Sequence, residues 1–474
     1  MKKLELLAPG GSPEKMAYAF AYGADAVYIG IPDFSLRVRI NKFGLEDVRQ
    51  AIEEAHKLKK KIYVTVNIYA HNEHLKKLPT YLKKLNLWRP DALIISDPGV
   101  IQLAKKYCPK IDIHLSTQAN ATNWQAVKFW QKAGVKRVIL GREVTLAEIK
   151  EIHKQCSKIE LEYFVHGAMC MSYSGRCLLS AWLTGRSANL GDCAQPCRWK
   201  YTVESVGFLP LRKGEQEGVE EIQNSTTPTP PFQGGENIVQ MEVTEPLHPS
   251  EKIPVEEDQN GTYIFNSKDL CLIEYLPELI KAGITSFKIE GRAKSVAYLA
   301  TVVKAYTEAL KIKNKITLKK IKKQYLDSLM TRGYTTGFLF GPGFAKATPG
   351  KPYTSMQNTA FSHLSGEEKF VGEVVSLRAE RSNPQEVEIA SSAGTNRLPR
   401  NDSYRVYFKP HNALFVGNKI RIIRPFAEDV EITLEKMYNI KDQEVSEVHG
   451  GTTGVFWFKS KIEIPKYSIL QKII

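Results

Sequence analysis

Short apolar, β-branched runs recur through the amino-terminal two thirds of the chain with amphipathic stretches between them. No single motif constrains the fold as much as this alternation. The runs are Leu4 to Leu7, Ala26 to Ile29, Lys61 to Asn67, Ala92 to Ser96, Ile111 to Ser116, Lys136 to Leu140, Ile159 to Val165 and, much later, Ser286 to Ile289. Continuous apolar runs suit strands buried on both faces, as in a parallel sheet with helical crossovers. The crossovers carry their own marks. Ser12 to Tyr22 opens with Ser-Pro-Glu-Lys, a serine cap followed by proline at the first helical position, and Leu45 to Lys57 has apolar residues at helical spacing. Eight such units predict an α/β fold, a (β/α)8 TIM-type barrel, whose chemistry belongs at the carboxyl ends of the strands.

Those ends offer Pro9-Gly10-Gly11, Asn67, Ser96-Asp97, Ser116-Thr117-Gln118, Arg142-Glu143, His166-Gly167 and Glu290-Gly291-Arg292. Polar loops occur on any barrel, so none of these is decisive alone. Behind the seventh run, four of the seven cysteines fall close together: Cys170, Cys177, Cys193 and Cys197. Thiolates gathered in one short segment can fold around a soft-metal centre. The amino terminus lacks an uninterrupted apolar run, because Glu5 and Pro9 break it. A cytoplasmic protein is expected, and in a reducing compartment clustered cysteines are ligands or redox groups more often than disulfides. Lysine and arginine exceed aspartate and glutamate by 66 − 51 = 15, which points to a polyanionic partner.

Between the seventh and eighth runs, residues 206–260 include TTPTPPFQGG and lack apolar periodicity. They read as an excursion or mobile loop. Cys271 follows an Asn-Ser-Lys-Asp turn at what reads as the start of an apolar helix, and it becomes a fifth candidate ligand. The barrel is expected over residues 1–332. Short β-rich runs after Gly333, at Phe370 to Val375, Tyr404 to Phe408, Lys419 to Ile423, Val430 to Leu434 and Thr453 to Phe458, predict a small all-β, barrel-like domain over residues 333–474. Residues 377–402 lack a strand pattern and look like an insertion in a hairpin loop.

The run from Glu162 through Cys177 to Ser180 resembles the signature of the collagenase-like peptidases, family U32. Further segments point to the bacterial tRNA 5-hydroxyuridine modification branch of that family: ELLAPGGSPEKMAYAFAYGADAVYIG, FSLRVRINKF, HLSTQANATN, GDCAQPCRW, NSKDLCLIEYLPELIKAGI and FKIEGRAKS followed by TTGFLFG. The resemblance covers nearly the whole chain outside the two excursions. It implies that cysteines hold a four-iron, four-sulfur cluster, and that hydroxylation of the tRNA wobble uridine takes its oxygen from prephenate or a similar small carboxylate. Carried over by position, Cys170, Cys177 and Cys193 are ligands. The fourth is Cys271 or Cys197, with Cys271 favoured because ligands from distant segments are common around buried clusters. A partner protein is left open.

The peptidase name needs a nucleophile, a base in reach and an orienting third group. His166 near Cys170 is the nearest match, but no GxSxG elbow, papain-like cysteine motif or HExxH helix is present. A structural zinc site would use cysteine pairs two to four residues apart, a spacing that only Cys193 and Cys197 meet. For a dicarboxylate donor, Arg37, Arg39, Arg142 and Arg292 are candidates, since guanidinium groups pair with carboxylates bidentately. His166 and Glu290, with His114, are candidate acid/base groups. Three readings stand: a cluster-dependent tRNA hydroxylase, a peptidase, and a non-catalytic RNA-binding zinc protein.

Overall fold

The structure, a computed structural model, describes residues 3–30, 34–35 and 43–170, short stretches between 172 and 198, three strands between 239 and 263, and residues 267–341, 368–380, 403–452 and 454–473. Eight parallel strands close into a barrel. They are β1 Glu5–Pro9, β2 Ala26–Gly30, β3 Lys61–Val66, β4 Ala92–Ile95, β5 Asp112–Leu115, β6 Arg137–Ile139, β7 Glu160–Ala168 and, after β8 to β11, β12 Ile284–Ile289. Neighbours in sequence pair from β1 to β7, and β12 closes the ring by pairing with both β7 and β1. The expected eight-unit barrel is therefore the observed one.

Local chemistry starts the crossovers as the sequence indicates. Ser12 caps α1 (Pro13–Ala21) by accepting from the Lys15 amide, and proline's fixed φ suits the first turn. The second crossover, α2 (Leu45–Lys57), buries Val48, Ala51, Ile52 and Ala55 along one stripe. Four further helices intervene: α3 Asn72–Trp88, α4 Pro98–Tyr107, α5 Trp124–Lys132 and α6 Leu146–Gln155. A short α7 (Leu179–Thr184) follows β7, and α8 (Leu276–Lys281), α9 (Val296–Ala309) and α10 (Lys315–Ile321) are the remaining α-helices among the described residues. The ninth is unusual. All but two of its fourteen residues are buried, because it packs between the barrel wall and the carboxyl-terminal region.

Two expectations are corrected. Cys271 does not open a helix; it ends strand β11 (Asp269–Cys271), which pairs antiparallel with β7 and parallel with β13 (Tyr334–Thr335). The run is too short for a helix signal to be separable from a strand, and pairing with β7 decides it. The excursion is also not loop throughout. β8 (Val239–Glu245), β9 (His248–Asp258) and β10 (Gly261–Tyr263) form an antiparallel three-stranded sheet. Charged residues in β8 and β9 and the two prolines of β9 obscure its alternation. Residues 206–238 lie outside the described residues.

The carboxyl-terminal region is an antiparallel eight-stranded sheet built on β14 (Glu368–Glu380) and β15 (Ser403–Pro410). Around them lie β17 (Lys419–Ile423), β18 (Val430–Thr433), β19 (Met437–Asn439), β20 (Glu444–Val445), β22 (Phe456–Ser460) and β23 (Ile469–Ile473), while β16 (Leu414–Phe415) pairs with β21 (Glu447–Val448) outside that sheet. β14 runs on to Glu380, past the expected break at 377, because register with β15 holds it; residues 381–402 lie outside the described residues. Phe408, Phe458, Val371, Ile420 and Leu470 fill a separate core. Polar contacts fasten this sheet to the barrel: Tyr22 donates to the Ile423 carbonyl at 2.7 Å, Tyr18 to Glu373 at 2.8 Å, and Lys304 to Asp429.

Charge inside the barrel is the departure from the usual branched apolar filling. Arg137 on β6 reaches Glu5 on β1 and Glu162 on β7, and Lys288 on β12 donates to Glu162 at 3.0 Å. The Ser286 hydroxyl lies within hydrogen-bond reach of both carboxylates and shares its one proton between them, and Tyr63 on β3 donates to Glu5 at 2.7 Å. Burial pushes the Glu5 carboxyl up, but the charge and hydrogen bond of Arg137, with help from Tyr63 and Lys61, outweigh it and leave it below its ordinary value. Removing one member of such a group strands a buried charge, so Arg137→Met is expected to cost about 3–5 kcal/mol in urea denaturation at neutral pH. Since the Glu5 carboxyl is depressed in the folded state, its contribution is present above the unfolded value near 4.5 and lost as pH falls through the lower folded value. The stability difference between wild type and Glu5→Gln should therefore shrink below about pH 4.5, and a constant difference down to pH 3 would show that Glu5 is not held ionised.

Candidate active site at the barrel mouth

Strands β7 and β12 meet closely at their carboxyl ends. Gly167 has φ +110°, and a Cβ there would lie 2.3 Å from the Glu290 carbonyl oxygen, so only glycine allows the approach. The Glu290 amide donates to the His166 carbonyl at 2.9 Å across this gap. Above the charge network, three cations share two aromatic rings. Arg142 lies 4.1 Å over Phe164, Lys288 lies 5.4 Å from Phe164 and 4.3 Å from Tyr28, and Arg292 lies 5.6 Å from Tyr28. Arg142 also donates to the Ala168 carbonyl at 3.0 Å, which ties the β6 loop to the end of β7. Burial pulls the Lys288 ammonium below its ordinary value, and the Glu162 carboxylate opposes that pull. Asn67 donates to Ser116 at 3.3 Å on the β3–β5 side of the same barrel end.

The fold thus brings Arg142 and Arg292 to one mouth and adds Lys288 between them. Sequence reasoning passes over Lys288 because it sits in an apolar strand body. The signal is present, since Ser286 and Lys288 alternate along β12 and share a face. Arg37 and Arg39 lie outside the described residues. Glu290 is buried where β12 ends.

The other two acid/base candidates are not placed for proton transfer to a ligand. His114 is fully enclosed, edge-on to Tyr63 at 4.7 Å, and burial, then Arg137 and Lys288, hold its pKa well below the ordinary value. His166 is enclosed by the rings of Tyr298, Tyr306 and Tyr334 at 5.4–5.9 Å, and burial lowers it to about 3. Both imidazoles are therefore neutral at physiological pH. The Tyr306 hydroxyl lies 3.4 Å from His166 Nδ1, 2.8 Å from the Val165 carbonyl and 3.9 Å from Cys271 Sγ. Cys271 stands opposite His166 across the β7–β11 pair, and the buried Arg332–Asp269 ion pair braces the start of β11.

No disulfide joins any of the seven cysteines. Cys170, two residues beyond β7, is exposed with its Sγ 3.2 Å from the Ser172 hydroxyl; Cys193 is exposed, Cys177 and Cys197 are half-buried, and Cys271 is buried. As donors, unoxidised thiols on neighbouring segments have the chemistry that a thiophilic cluster requires. Among the described residues, however, no three histidine, cysteine, aspartate or glutamate side chains stand close enough to hold a metal ion. The donor set fits a cluster in kind, and the ligand sphere is not assembled in this structure. A nucleophile beside a base is likewise not formed by His166, whose hydrogen-bonding neighbour is a tyrosine.

Burial and thiol acidity separate the cysteines experimentally. Burial pushes Cys271 and Cys108 up to about 11, and Cys156 is also raised and buried. Since the thiolate is the nucleophile, iodoacetamide at pH 7.5 should label Cys170 and Cys193 of metal-free native protein well before Cys108, Cys156 and Cys271. Peptide mass spectrometry reads the order, and early labelling of Cys271 would contradict its placement in the barrel wall.

The profile of Peptidase family U32 matches residues 11–348. The chain is similar to tRNA hydroxylation protein P of Haemophilus influenzae, 40% identical over 96% of this chain and 93% of that one, and to the protein of the same name in Escherichia coli, 40% identical over 94% and 91%. It is also 32% identical to the 23S rRNA 5-hydroxycytidine C2501 synthase of Escherichia coli, over 65% of this chain and 39% of that one. An eight-stranded barrel whose cysteine-bearing segment follows its seventh strand, matched along nearly its whole length, belongs to Peptidase family U32.

Proposed function

We propose that this chain is an RNA-modifying enzyme that hydroxylates the wobble uridine of tRNA to 5-hydroxyuridine in the cytoplasm. The observation that carries the reading is the match, over more than nine tenths of both chains, to proteins named for tRNA hydroxylation. A further relative is named for hydroxylation of a cytidine in ribosomal RNA, so base hydroxylation is what the names of these three relatives share. No helix among the described residues is long and apolar enough to cross a membrane. The net charge of +15 favours a polyanion, since neutralised phosphates supply most sequence-independent affinity. An anticodon-loop base is unpaired, so it can be turned into the mouth without breaking a base pair.

The barrel mouth provides the chemistry for a small carboxylate donor such as prephenate. Arg142 and Arg292 can each pair with a carboxylate through two donors, while Lys288 adds a third cation set between them by Tyr28 and Phe164. Glu290, at the end of β12, is the acid/base candidate retained at this rim. His166 serves to position β7 against α9 rather than to move protons. Cys170, Cys177 and Cys193, with Cys271 or Cys197, are the thiols that would hold a four-iron, four-sulfur cluster. When bound, such a cluster supplies electron transfer.

Two experiments test the proposal. Protein purified without oxygen should be brown with about four irons per chain, and Cys170→Ala, Cys177→Ala or Cys193→Ala should each remove the iron while Cys108→Ala and Cys156→Ala retain it. Comparing Cys197→Ala with Cys271→Ala identifies the fourth ligand, and full iron retention in Cys170→Ala protein would show the cluster misplaced. Stoichiometric zinc in colourless protein would favour the zinc-binding alternative. In the second experiment, tRNA nucleosides are analysed from cells lacking the protein. Hydroxylated wobble uridine should be absent, restored by the wild-type chain, and not restored by the folded Cys170→Ala variant. Unchanged nucleoside composition in the deletion strain would overturn the enzymatic reading.

A further inference from the structure

The outer face of the carboxyl-terminal sheet carries an aromatic ladder bordered by cations. Register places Tyr407 on β15 opposite Trp457 on β22, and Trp457 opposite Tyr438 on β19, so three rings cross three adjacent strands. The Tyr438 ring stacks on Trp457 at 4.3 Å with the planes 16° apart, and Tyr407 lies 6.4 Å from Trp457. On the neighbouring row of the same face, two residues along, Arg405 stands opposite both Lys459 and Arg378. The Arg405 guanidinium lies 4.2 Å over Trp457, and that of Arg378 lies 5.4 Å over Tyr407. Val406, Phe408 and Phe458, the alternate residues of these strands, fill the core behind, so the ladder is the other face.

Burial shows how the ladder is built. Trp457 is enclosed beneath Arg405 and Tyr438, and its indole donates to the Asn439 carbonyl and to Asp442, both at 3.1 Å. It acts as the fixed base of the stack. Tyr407 and Tyr438 are only half-buried, while Arg378 and Lys459 are exposed. A sheet needs none of this for stability on a solvated face, where polar β-formers suffice. One ring stacked flat on a buried indole and a second tilted 41° beside it, flanked by arginine and lysine, match the two requirements of an unpaired nucleic-acid strand: π-faces for bases and cations for the phosphates between them.

We propose that this face binds an unpaired stretch of the RNA substrate, with bases on Tyr407 and Tyr438 and phosphates on Arg378 and Lys459. It is a docking surface separate from the barrel mouth, and it rests on the reading that RNA is the substrate. The complementarity of charge and stacking selects a nucleic acid over an acidic protein, which would use the cations but not the rings.

The test is binding of fluorescently labelled tRNA to the full-length protein, measured by anisotropy across a salt series. Exchanging both exposed cations, Arg378→Ala with Lys459→Ala, should lower the slope of log affinity against log salt by about 0.7 for each phosphate no longer neutralised. Tyr438→Ala should weaken binding about ten-fold, as removal of one stacked base does. Thermal melting of each variant checks folding, and the double cation variant decides the matter if Tyr438→Ala lowers the melting temperature. Unchanged affinity and slope in that variant, beside tight binding by wild type, overturn this surface and leave the hydroxylation reading standing. Wild-type protein that does not bind tRNA at all, together with unaltered nucleosides in the deletion strain, overturns both. Weakened binding of polyglutamate alone, with tRNA binding unchanged, overturns the surface in favour of an acidic protein partner.

Discussion

Glu5, Arg137, Glu162 and Lys288 meet inside the barrel, and the arrangement of the mouth above them depends on that meeting. Taking four charges out of water is costly, and the cost is offset only when every carboxylate faces a cation and its remaining lone pairs are filled. Ser286 and Tyr63 supply the filling. The group therefore fixes β1, β3, β6, β7 and β12 against one another: a slip of one residue in any of them would turn its member out of the barrel. Lys288 is the link upward. Held below by Glu162, it stands against Tyr28 and Phe164, the rings that also carry Arg292 and Arg142.

β7 joins this centre to the thiols. Along it Glu162 belongs to the charge network, Phe164 carries the mouth cations, His166 enters the tyrosine cage, and the chain then leaves for Cys170. The same strand pairs with β11, so Cys271 is held in the barrel wall, near the Tyr306 hydroxyl. Cationic mouth and thiol wall are thus two properties of one strand and its neighbours. Although the family carries a peptidase name, neither histidine here is a free base beside a nucleophile. Both are buried and neutral, and the fixed positive charge of the mouth suits anions.

The carboxyl-terminal sheet is fastened to α1 and α9 by hydrogen bonds from Tyr18, Tyr22 and Lys304, all formed where both surfaces exclude water. Ile423 and Ile469 of that sheet belong to the barrel's own apolar core, so the contact is packed as well as polar. An RNA held on the sheet's outer ladder would then be held relative to the barrel too.

The barrel is legible in the sequence because its strands are buried on both faces, and burial writes continuous β-branched runs that capped helices punctuate. The cysteine grouping and the rim arginines are legible for a related reason, since spacing along the chain and position after a strand are one-dimensional facts. Pairing is not such a fact. Cys271 reads as the start of a helix until β7 claims it as a strand end, and residues 239–263 hide an antiparallel sheet behind prolines and charges. Lys288 looks like an interruption of an apolar run, whereas closure of the ring brings it to Glu162 and to two aromatic faces from other strands. His166, attractive beside Cys170 in sequence, is enclosed by tyrosines from α9 and β13. The sequence by itself determined which segments are buried and which donors exist. Tertiary structure alone decided which side chains share a low-dielectric space, and so which are charged, because partners on distant strands and the exclusion of water set ionisation together.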